Sequence, residues 1–281
     1  MANIINAILN LVQNPKVELV RHYASANRAN NMGAALEEYV KDLYANTVEE
    51  TDENKRNSKI ASVFSYLGNA SNPPDSMLCG GGDAIEVKKL EGMNALALNS
   101  SHPKRKLRVD NPKINNHCIS CEAWQERDML YVVGICTAQQ VKSLSMVYGD
   151  EYCADIEVYS RAETAIKSGL HSLESVELAP TNELGKLNRV DPLGITNLRV
   201  RGMWTIFNPL RVFDYIYTLD RSKSFNFMAL INNDKYAALD NRCELEQLIG
   251  IIPNLSITDV DVKEPNNPAL LKGCKLIRFS V

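Results

Sequence analysis

The sequence lacks the features that mark several large classes of protein. No apolar run approaches the roughly 20 residues that cross a bilayer, and the opening stretch MANIINAILNLVQNP has neither a basic region nor a small-residue cleavage site. We therefore expect no membrane span and no secretory signal. The seven cysteines are scattered and odd in number, which favours reduced thiols over a disulfide framework. No Ser-His-Asp or phosphate-loop pattern is present, and the whole favours a cytoplasmic protein.

Charge of both signs is present but unevenly spread. The net charge is −3, yet the segment 101–113 holds five basic residues against one acid, and the segment 186–223 holds seven against three. Local basic patches on an acidic body suit a protein that binds phosphates while it also needs carboxylates. The alternative interpretation is that both segments are ordinary solvated faces.

Hydrophobic periodicity predicts a mixture of helices and strands. The predicted helices are 4–12, 33–44, 155–173 and 236–252, and the charged segment 50–59 is interpreted as a loop. The predicted strands lie in SMLC, AIEVKKL, MLYVVGICT, SLSMVYGDEY, NLRVRGMWTIF and KLIRFSV. This mixture favours an α/β (α+β) fold in which helices flank a central mixed β-sheet. No linker divides the chain, so residues 1–281 are expected to form a single domain.

The strongest local signal is a proline–aspartate pair followed by a Glu-Val-Lys triplet. The pair ends at Asp75, and after ten residues the triplet runs from Glu86 to Lys88. The segment GGGD (80–83) between them predicts a β-hairpin turn. Side chains alternate along a strand, so Glu86 and Lys88 share a face. With the turn at 80–83, Asp75 lies opposite Lys88, and because cross-strand partners share a face, the three side chains are expected to cluster.

Such a cluster has the composition that phosphodiester hydrolysis requires. Mg²⁺ is usually held by one or two carboxylates together with waters and substrate phosphate, and the ion polarises the phosphate and lowers the pKa of the attacking water. A lysine beside it can orient or deprotonate that water and offset charge in the transition state. The alternative is a structural hairpin that presents Glu86 and Lys88 on a solvated face.

A second source of carboxylate lies in GAALEEYVKDLY. Helical spacing predicts one apolar face formed by Gly33, Leu36, Val40, Leu43 and Tyr44. Glu37 borders this stripe, whereas Glu38 points nearly opposite. Glu37 is therefore the glutamate that can lean toward the sheet and a metal, unless it is simply a rim residue of an amphipathic helix.

Longer stretches of the chain resemble a known family. The chain resembles the NgoPII-type family of type II restriction endonucleases, within the PD-(D/E)xK nuclease superfamily. The resemblance covers the first half densely and one segment of the second half. The matching stretches are NRANNMGAALEEYVKDLY, VFSYLGNASNPPD, GDAIEVKKLEG, ALALNSSHPK, CISCEAWQERDMLYVVG, MVYGDEYCAD and LGITNLRVRGMWTIFNP.

The resemblance implies a PD-(D/E)xK restriction-endonuclease-like core and a homodimer that cuts both strands of a short palindrome in double-stranded DNA with Mg²⁺. It implies the site GGCC and a cognate DNA methyltransferase that protects the host. Asp75, Glu86 and Lys88 carry over as the catalytic set, Asp75 and Glu86 as metal ligands, and Glu37 as a helper.

Within the single domain, the resemblance favours a catalytic core at 1–180 and a DNA-recognition or dimer subregion at 181–281. Two other functions stay open at this point. The same nuclease core also serves repair and junction-resolving enzymes, and a non-catalytic DNA-binding protein can retain the fold. The presence of all three core residues counts against the last of these.

Several polar and basic residues are candidates for DNA contacts. They are Asn99, Ser100, Ser101, Lys104, Arg199, Arg201, Asn208 and Arg211. Segments similar to NSSHPK sit at the DNA in related enzymes, although a polar turn explains the local sequence equally well. Arginine pairs bidentately with guanine in the major groove, which suits a G/C-rich site. Phosphate contacts or structural ion pairs are the alternatives for Arg199 and Arg201.

The pair Cys118 and Cys121, preceded by a histidine, has the spacing of half a zinc site. A closed site needs four ligands, and the sequence contains no second CxxC. The alternative is a pair of reduced thiols in a loop with Trp124 packing beside them.

Overall fold

Helices and strands alternate along the chain. The structure is a computed structural model, and it describes residues 2–19, 28–69, 72–137, 139–174 and 176–281. The helices are α1 (Ile4–Gln13), α2 (Arg28–Ala45), α3 (Glu53–Val63), α4 (Asn116–Ser120), α5 (Gly149–Tyr152), α6 (Ile156–His171), α7 (Pro209–Val212), α8 (Asn233–Ala238) and α9 (Arg242–Gln247).

The strands belong to three sheets. They are β1 (Phe64–Asn69), β2 (Asn72–Leu78), β3 (Ala84–Leu90), β4 (Leu96–Asn99), β5 (Lys106–Arg108), β6 (Glu126–Thr137), β7 (Gln140–Tyr148), β8 (Glu177–Leu178), β9 (Gly185–Asn188), β10 (Leu198–Val200), β11 (Trp204–Ile206), β12 (Asn226–Asn232), β13 (Ser256–Glu264) and β14 (Asn267–Ser280). Within the described residues the central sheet has the order β1-β2-β3-β6-β7-β12-β14-β13, and β5 pairs with β6. The smaller sheets are β10-β9-β8 and β11-β4.

The central sheet is mixed, as the sequence predicts. β3 runs parallel to β6, and β12 runs parallel to β7, whereas the other pairs are antiparallel. Strands β12 and β14 from the last quarter of the chain pair with each other, and β12 joins them to β7. The sheet is therefore assembled from strands that lie on both sides of residue 180.

Each face of the central sheet carries its own hydrophobic core. On one face, Ile85 and Val87 of β3 pack with α1 and α2, which contribute Ile8 and Leu36 among others. Gly134 of β6 permits the close approach of α2, because a Cβ at this position would lie 2.7 Å from Leu36 Cδ2. The other face has a separate core.

That second core is built from alternate residues of the same strands. It includes Met77, Ala84, Tyr131 and Val133, with Leu107 of β5. Strand alternation sends Glu86 and Lys88 to the side of Ala84, and so the carboxylate–lysine segment faces this core rather than the helices of the first face.

Four secondary-structure predictions differ from the structure. The predicted strand SLSMVYGDEY ends at Tyr148 as part of β7, and its last four residues form α5. The charged segment 50–59 was expected to be a loop, but most of it forms α3, which Asp52 caps by accepting hydrogen bonds from Asn54 N and Lys55 N. The helix predicted over 236–252 is two short helices, α8 and α9, and NLRVRGMWTIF forms two short strands in different sheets. The helices predicted at 4–12, 33–44 and 155–173 are confirmed as α1, α2 and α6. In the part of the chain described here, no helix is long and apolar enough to cross a membrane.

Candidate active site

The pairing of β2 with β3 decides where the acidic residues meet. The observed partners are Ser76 with Ile85 and Met77 with Ala84. The predicted register was wrong by two residues, because the turn is longer than the four residues assumed. A shift of two preserves the face of every side chain. Continuing the observed register places Asp75 opposite Glu86 instead of Lys88.

Asp75, Glu86 and Lys88 line one cavity, whose volume is about 140 Å³. Asp75 Oδ2 accepts a hydrogen bond of 2.6 Å from the backbone N–H of Val87, which ties β2 to β3 beyond the last ladder pair. Lys88 Nζ lies 2.6 Å from Glu86 Oε1. The other oxygen, Glu86 Oε2, is buried and has no hydrogen-bond partner among the described residues. The site therefore contains acceptor capacity that the protein itself does not satisfy.

The charges in this cavity shift one another's ionisation. Burial, and then the charge of Glu86, raise the pKa of Asp75 to about 7, against the smaller opposing effect of Lys88. Burial alone would lower the pKa of Lys88, but the charges of Glu86 and Asp75 outweigh it and the pKa is raised. Lys88 therefore stays protonated at neutral pH, and Asp75 is poised near its ionisation.

Glu37 and Glu38 occupy different electrostatic environments, as helical spacing predicts. Burial raises the pKa of Glu37, which also responds to the charges of Lys88 and Glu86. Glu38 instead forms ion pairs with Lys41 at 2.7 Å and with Arg56 of α3 at 2.5 Å. Of the two, Glu37 is the glutamate that lies close enough to the cavity to respond to its charges.

The backbone around Asp75 is set by a close approach of β1. A Cβ at Gly68 would lie 2.2 Å from the carbonyl oxygen of Pro74 and 3.0 Å from that of Asp75. Only glycine lets β1 approach this segment without a shift. The position of Asp75 thus depends on packing from a neighbouring strand as well as on the β2–β3 ladder.

The remaining cavity wall comes from the loop after β4. Asn99, Ser100, Ser101 and Lys104 line the cavity beside the carboxylates. The four residues singled out in NSSHPK are therefore brought to the acidic cluster. Sequence reasoning missed Tyr131, whose alternation within β6 is the signal that places it on the same face.

Comparison with known proteins identifies the family of the chain. A sequence model of the NgoPII restriction endonuclease family matches residues 2–263. The type II restriction enzyme NgoPII of Neisseria gonorrhoeae is 51% identical over 280 residues, which cover 99% of both chains. The chain belongs to the NgoPII restriction endonuclease family. No solved structure matches the chain.

In this member of the NgoPII family, a cleft of about 910 Å³ leads from the cavity toward the strands after residue 180. Asn72, Asn99 and Ser100 line it on one side, and Arg201 and Trp204 line it on the other. Trp204, which lines this cleft, meets the ring of Tyr159 edge-on with centroids 5.6 Å apart, and His102 stacks on Tyr159 with centroids 5.3 Å apart. These rings join the loop after β4 to α6 and β11.

The two arginines of LRVRGMW, which lies within the residues that match the NgoPII family, form ion pairs with the same acid. Arg199 Nε lies 3.0 Å from Glu183 Oε2, and Arg201 Nε lies 2.7 Å from Glu183 Oε1. Both arginine side chains are more than half exposed. Sequence analysis did not identify Glu183, because it comes from the turn before β9 and meets the arginines only through the β9–β10 pairing.

Asn208 and Arg211 differ in accessibility. Asn208 is fully buried, and its Oδ1 accepts a hydrogen bond of 3.0 Å from Leu210 N at the start of α7. This helix-capping role argues against a DNA contact by its side chain. Arg211 is exposed, and its guanidinium lies 5.0 Å from the ring centroid of Phe207.

The Cys118 and Cys121 pair gains no support as a zinc site. Cys118 is buried in α4 with its Sγ 3.4 Å from Met77 Sδ, and burial raises the pKa of its thiol to about 12. Trp124 donates a hydrogen bond of 3.0 Å to the Cys118 carbonyl. No group of three or more His, Cys, Asp or Glu residues suited to a metal occurs within the described ranges. The arrangement resembles the predicted alternative, a thiol pair packed beside Trp124, although Cys118 lies in a short helix rather than a loop.

Proposed function

We propose that the chain is a Mg²⁺-dependent, homodimeric type II restriction endonuclease. It hydrolyses a phosphodiester bond in each strand of double-stranded DNA at a short palindrome, GGCC. The observation that supports this function best is the joint placement of Asp75, Glu86 and Lys88 around one cavity, within a chain of the NgoPII family. Asp75, Glu86 and Lys88 are the proposed catalytic set, and Glu37 is the proposed helper.

The donor set fits a hard divalent ion. Asp75 and Glu86 offer carboxylate oxygens to the same cavity, and the unpartnered Glu86 Oε2 is an acceptor that a ligand can satisfy. Mg²⁺ needs no more than one or two carboxylates, because waters and substrate phosphate complete its octahedron. Two acids therefore suffice, and the absence of a three-residue ligand group from the described ranges is compatible with Mg²⁺. When bound there, the ion supplies Lewis-acid polarisation of the scissile phosphate.

The protein's own groups orient the carboxylates and the attacking water. The Val87 N–H orients Asp75 through Oδ2, and Lys88 Nζ engages Glu86 Oε1, which leaves Glu86 Oε2 without a partner among the described residues. Lys88 keeps its proton and can orient the attacking water or offset negative charge that develops on the phosphate. Both carboxylates must be ionised to hold a cation, and the raised pKa of Asp75 means that binding releases a proton near neutral pH.

DNA is proposed to lie along the cleft between the two regions of the single domain. In this proposal residues 1–180 supply the catalytic core, and 181–281 supply recognition or dimer contacts. The proposed contact residues are Asn99, Ser100, Ser101, Lys104, Arg199, Arg201 and Arg211. Phosphates or guanine edges would have to replace Glu183 as the partner of Arg199 and Arg201.

Digestion of a sequenced plasmid tests the function. Purified protein is incubated with and without Mg²⁺, beside the Glu86→Gln variant and a matched Glu244→Gln variant on the exposed surface of α9. We expect discrete fragments with Mg²⁺ only, from the wild-type and Glu244→Gln proteins, and mapped ends at GGCC. A smear would favour a repair or junction-resolving nuclease. Binding in a gel shift without any cleavage would favour a non-catalytic DNA-binding protein.

The genetic and cellular parts of the proposal have their own tests. A neighbouring gene for a DNA methyltransferase, whose product makes GGCC sites resistant to cleavage, is the expected cognate partner. Sedimentation of the protein alone and with a GGCC duplex should give the mass of two chains, because one dimer cuts both strands of a palindrome. Cell fractionation should recover the protein in the cytoplasm. A strictly monomeric complex would remove the homodimer from the proposal.

A further inference from the structure

Lys104 is a buried lysine that forms no ion pair with an acid of the described residues. Its relative exposure is 9%, and its ammonium makes one long hydrogen bond, 3.4 Å to the carbonyl of His102. No carboxylate of the described residues comes within 4.0 Å of its Nζ. Other part-buried lysines differ, since Lys235 meets Asp83 and Asp128, and Lys272 meets three acids. A buried cation left unpaired is costly, so an arrangement of this kind calls for an anion from outside the chain.

The backbone of Lys104 is held in place from two sides. The hydroxyl of Tyr131 accepts a hydrogen bond of 2.8 Å from Lys104 N and donates one of 3.2 Å to Lys104 O. Gly149 packs so closely that a Cβ there would lie 2.3 Å from the same carbonyl oxygen. The next residue, Arg105, forms ion pairs with Asp150 and Asp155. The backbone of Lys104 is therefore held by the fold, and its side chain is buried rather than exposed at the surface.

Lys104 lies at the wall of the acidic cavity. Tyr131 is the partner of Glu86 in the parallel β3–β6 ladder, so it connects the lysine directly to the strand that carries Glu86 and Lys88. Lys104 lines the cavity together with Asp75, Glu86 and Lys88. Lys88 already occupies Glu86 Oε1, and Lys104 makes no bond to Glu86 Oε2. Among the described residues, Lys88 therefore forms an ion pair with an acid of the cavity, whereas Lys104 feels the charge of Glu86 without forming one.

We propose that Lys104 is a second active-site lysine, which binds a non-bridging oxygen of the scissile phosphate, and that Tyr131 is its positioning residue. This inference rests on the proposed nuclease function and deepens it. A phosphate supplies the negative charge that the Lys104 ammonium lacks as a partner. It is also the anion that must enter the cavity lined by Asp75 and Glu86 if the protein cleaves DNA there. Lys104 then acts on the bond that breaks, which distinguishes it from basic residues that contact phosphates elsewhere along the duplex.

Single-turnover cleavage and DNA affinity, measured separately, test the role of Lys104. The variants are Lys104→Met, Lys104→Arg and, as a matched loss of one exposed lysine, Lys142→Met. We expect Lys104→Met to lower the cleavage rate constant about 100-fold, since it removes a charged donor to the reacting group, with a smaller loss of affinity. Lys104→Arg should restore part of the rate, and Lys142→Met should match the wild type. Cleavage by Lys104→Met at the wild-type rate would overturn the proposal.

A change in the substrate provides a readout that does not depend on cleavage or on how well a variant folds. A duplex is made with an uncharged methylphosphonate at the scissile position, and a control duplex carries it several steps away. For each protein, the affinity for the modified duplex is compared with that for the unmodified duplex, without added metal. We expect this ratio to differ about tenfold between the wild type and Lys104→Met, because the variant has no charge-assisted bond to the phosphate left to lose. Equal ratios for both proteins would refute a direct contact.

Tyr131→Phe tests the positioning role. The variant keeps the buried ring but removes both hydrogen bonds to the Lys104 backbone. We expect a cleavage rate between those of the wild type and Lys104→Met, and no additional loss when Tyr131→Phe is combined with Lys104→Met. Additive losses would contradict a role exerted through Lys104. If the wild-type protein cuts no DNA, the proposed function is wrong, and the methylphosphonate comparison of affinities then decides alone whether Lys104 contacts the phosphate.

Discussion

Replacement of Asp75 by asparagine should abolish cleavage and at the same time stabilise the metal-free fold. Burial and the charge of Glu86 raise the pKa of Asp75 from 3.8 to about 7. A rise of about three units corresponds to about 4 kcal/mol of unfavourable free energy for the ionised form. Asparagine removes this cost but weakens the bond from Val87 N, which loses the assistance of charge, by about 1 kcal/mol. Solvent in the cavity reduces the effect further, so we expect a net stabilisation of about 2 kcal/mol at pH 8.

The stabilisation expected for Asp75→Asn depends on pH. A pKa raised in the folded state means that the protonated carboxyl favours folding below about pH 4, and that this contribution is lost as the pH rises through 7. The free energy of unfolding, measured by urea titration without divalent metal, should therefore separate Asp75→Asn from the wild type at pH 8 but not at pH 4. Asp240→Asn, at an exposed position, is the control. A variant less stable than the wild type at pH 8 would show that Asp75 is not strained by its neighbours.

Three further outcomes follow from the structure. Lys88→Met should lower single-turnover cleavage about 100-fold or more with DNA binding retained, and full activity would exclude a role at the scissile bond. Gly68→Ala should lower both cleavage and thermal stability, because its Cβ would lie 2.2 Å from Pro74 O, whereas Gly169→Ala in α6 meets no heavy atom within 4 Å and should be neutral or stabilising by up to about 1 kcal/mol. Burial raises the pKa of Glu151 to about 7. Between pH 5 and pH 8 the free energy of unfolding of the wild type, measured in urea, should therefore fall by about 2 kcal/mol relative to that of Glu151→Gln. A difference that does not change with pH would contradict the raised pKa.

The face of each residue in the β2–β3 hairpin followed from the sequence, although the exact register did not. Alternation has a period of two, so the error of two residues still placed Asp75, Glu86 and Lys88 together. The turn length caused the error, because a run of three glycines permits several turn geometries. An error of one residue would have separated Asp75 from the other two.

Elements stabilised by distant contacts were harder to predict. In α3 only Arg56 and Ile60 are buried, so the helix shows almost no apolar stripe, and its signal was the capping aspartate at 52. Strand β12, NFMALIN, is buried on both faces and has no alternation to detect. Lys104 was a candidate DNA contact in a basic segment, and its burial did not follow from the local sequence, because one of its contacts is Tyr131, 27 residues away.

The cavity holds groups of both charge signs that lack a hydrogen-bonded partner among the described residues, and in this structure they form no ion pair with each other. Glu86 Oε2 and Asp75 form an acidic side that Lys88 neutralises only in part, and Lys104 is a buried cation that bonds to neither acid. A cation alone relieves the acidic side and leaves the lysine unpaired, while a phosphate alone relieves the lysine and is repelled by the acids. A phosphate accompanied by a divalent cation relieves both. On the proposed function, the charge arrangement that costs folding free energy is therefore the same one that favours a metal and a phosphodiester together over either ligand alone.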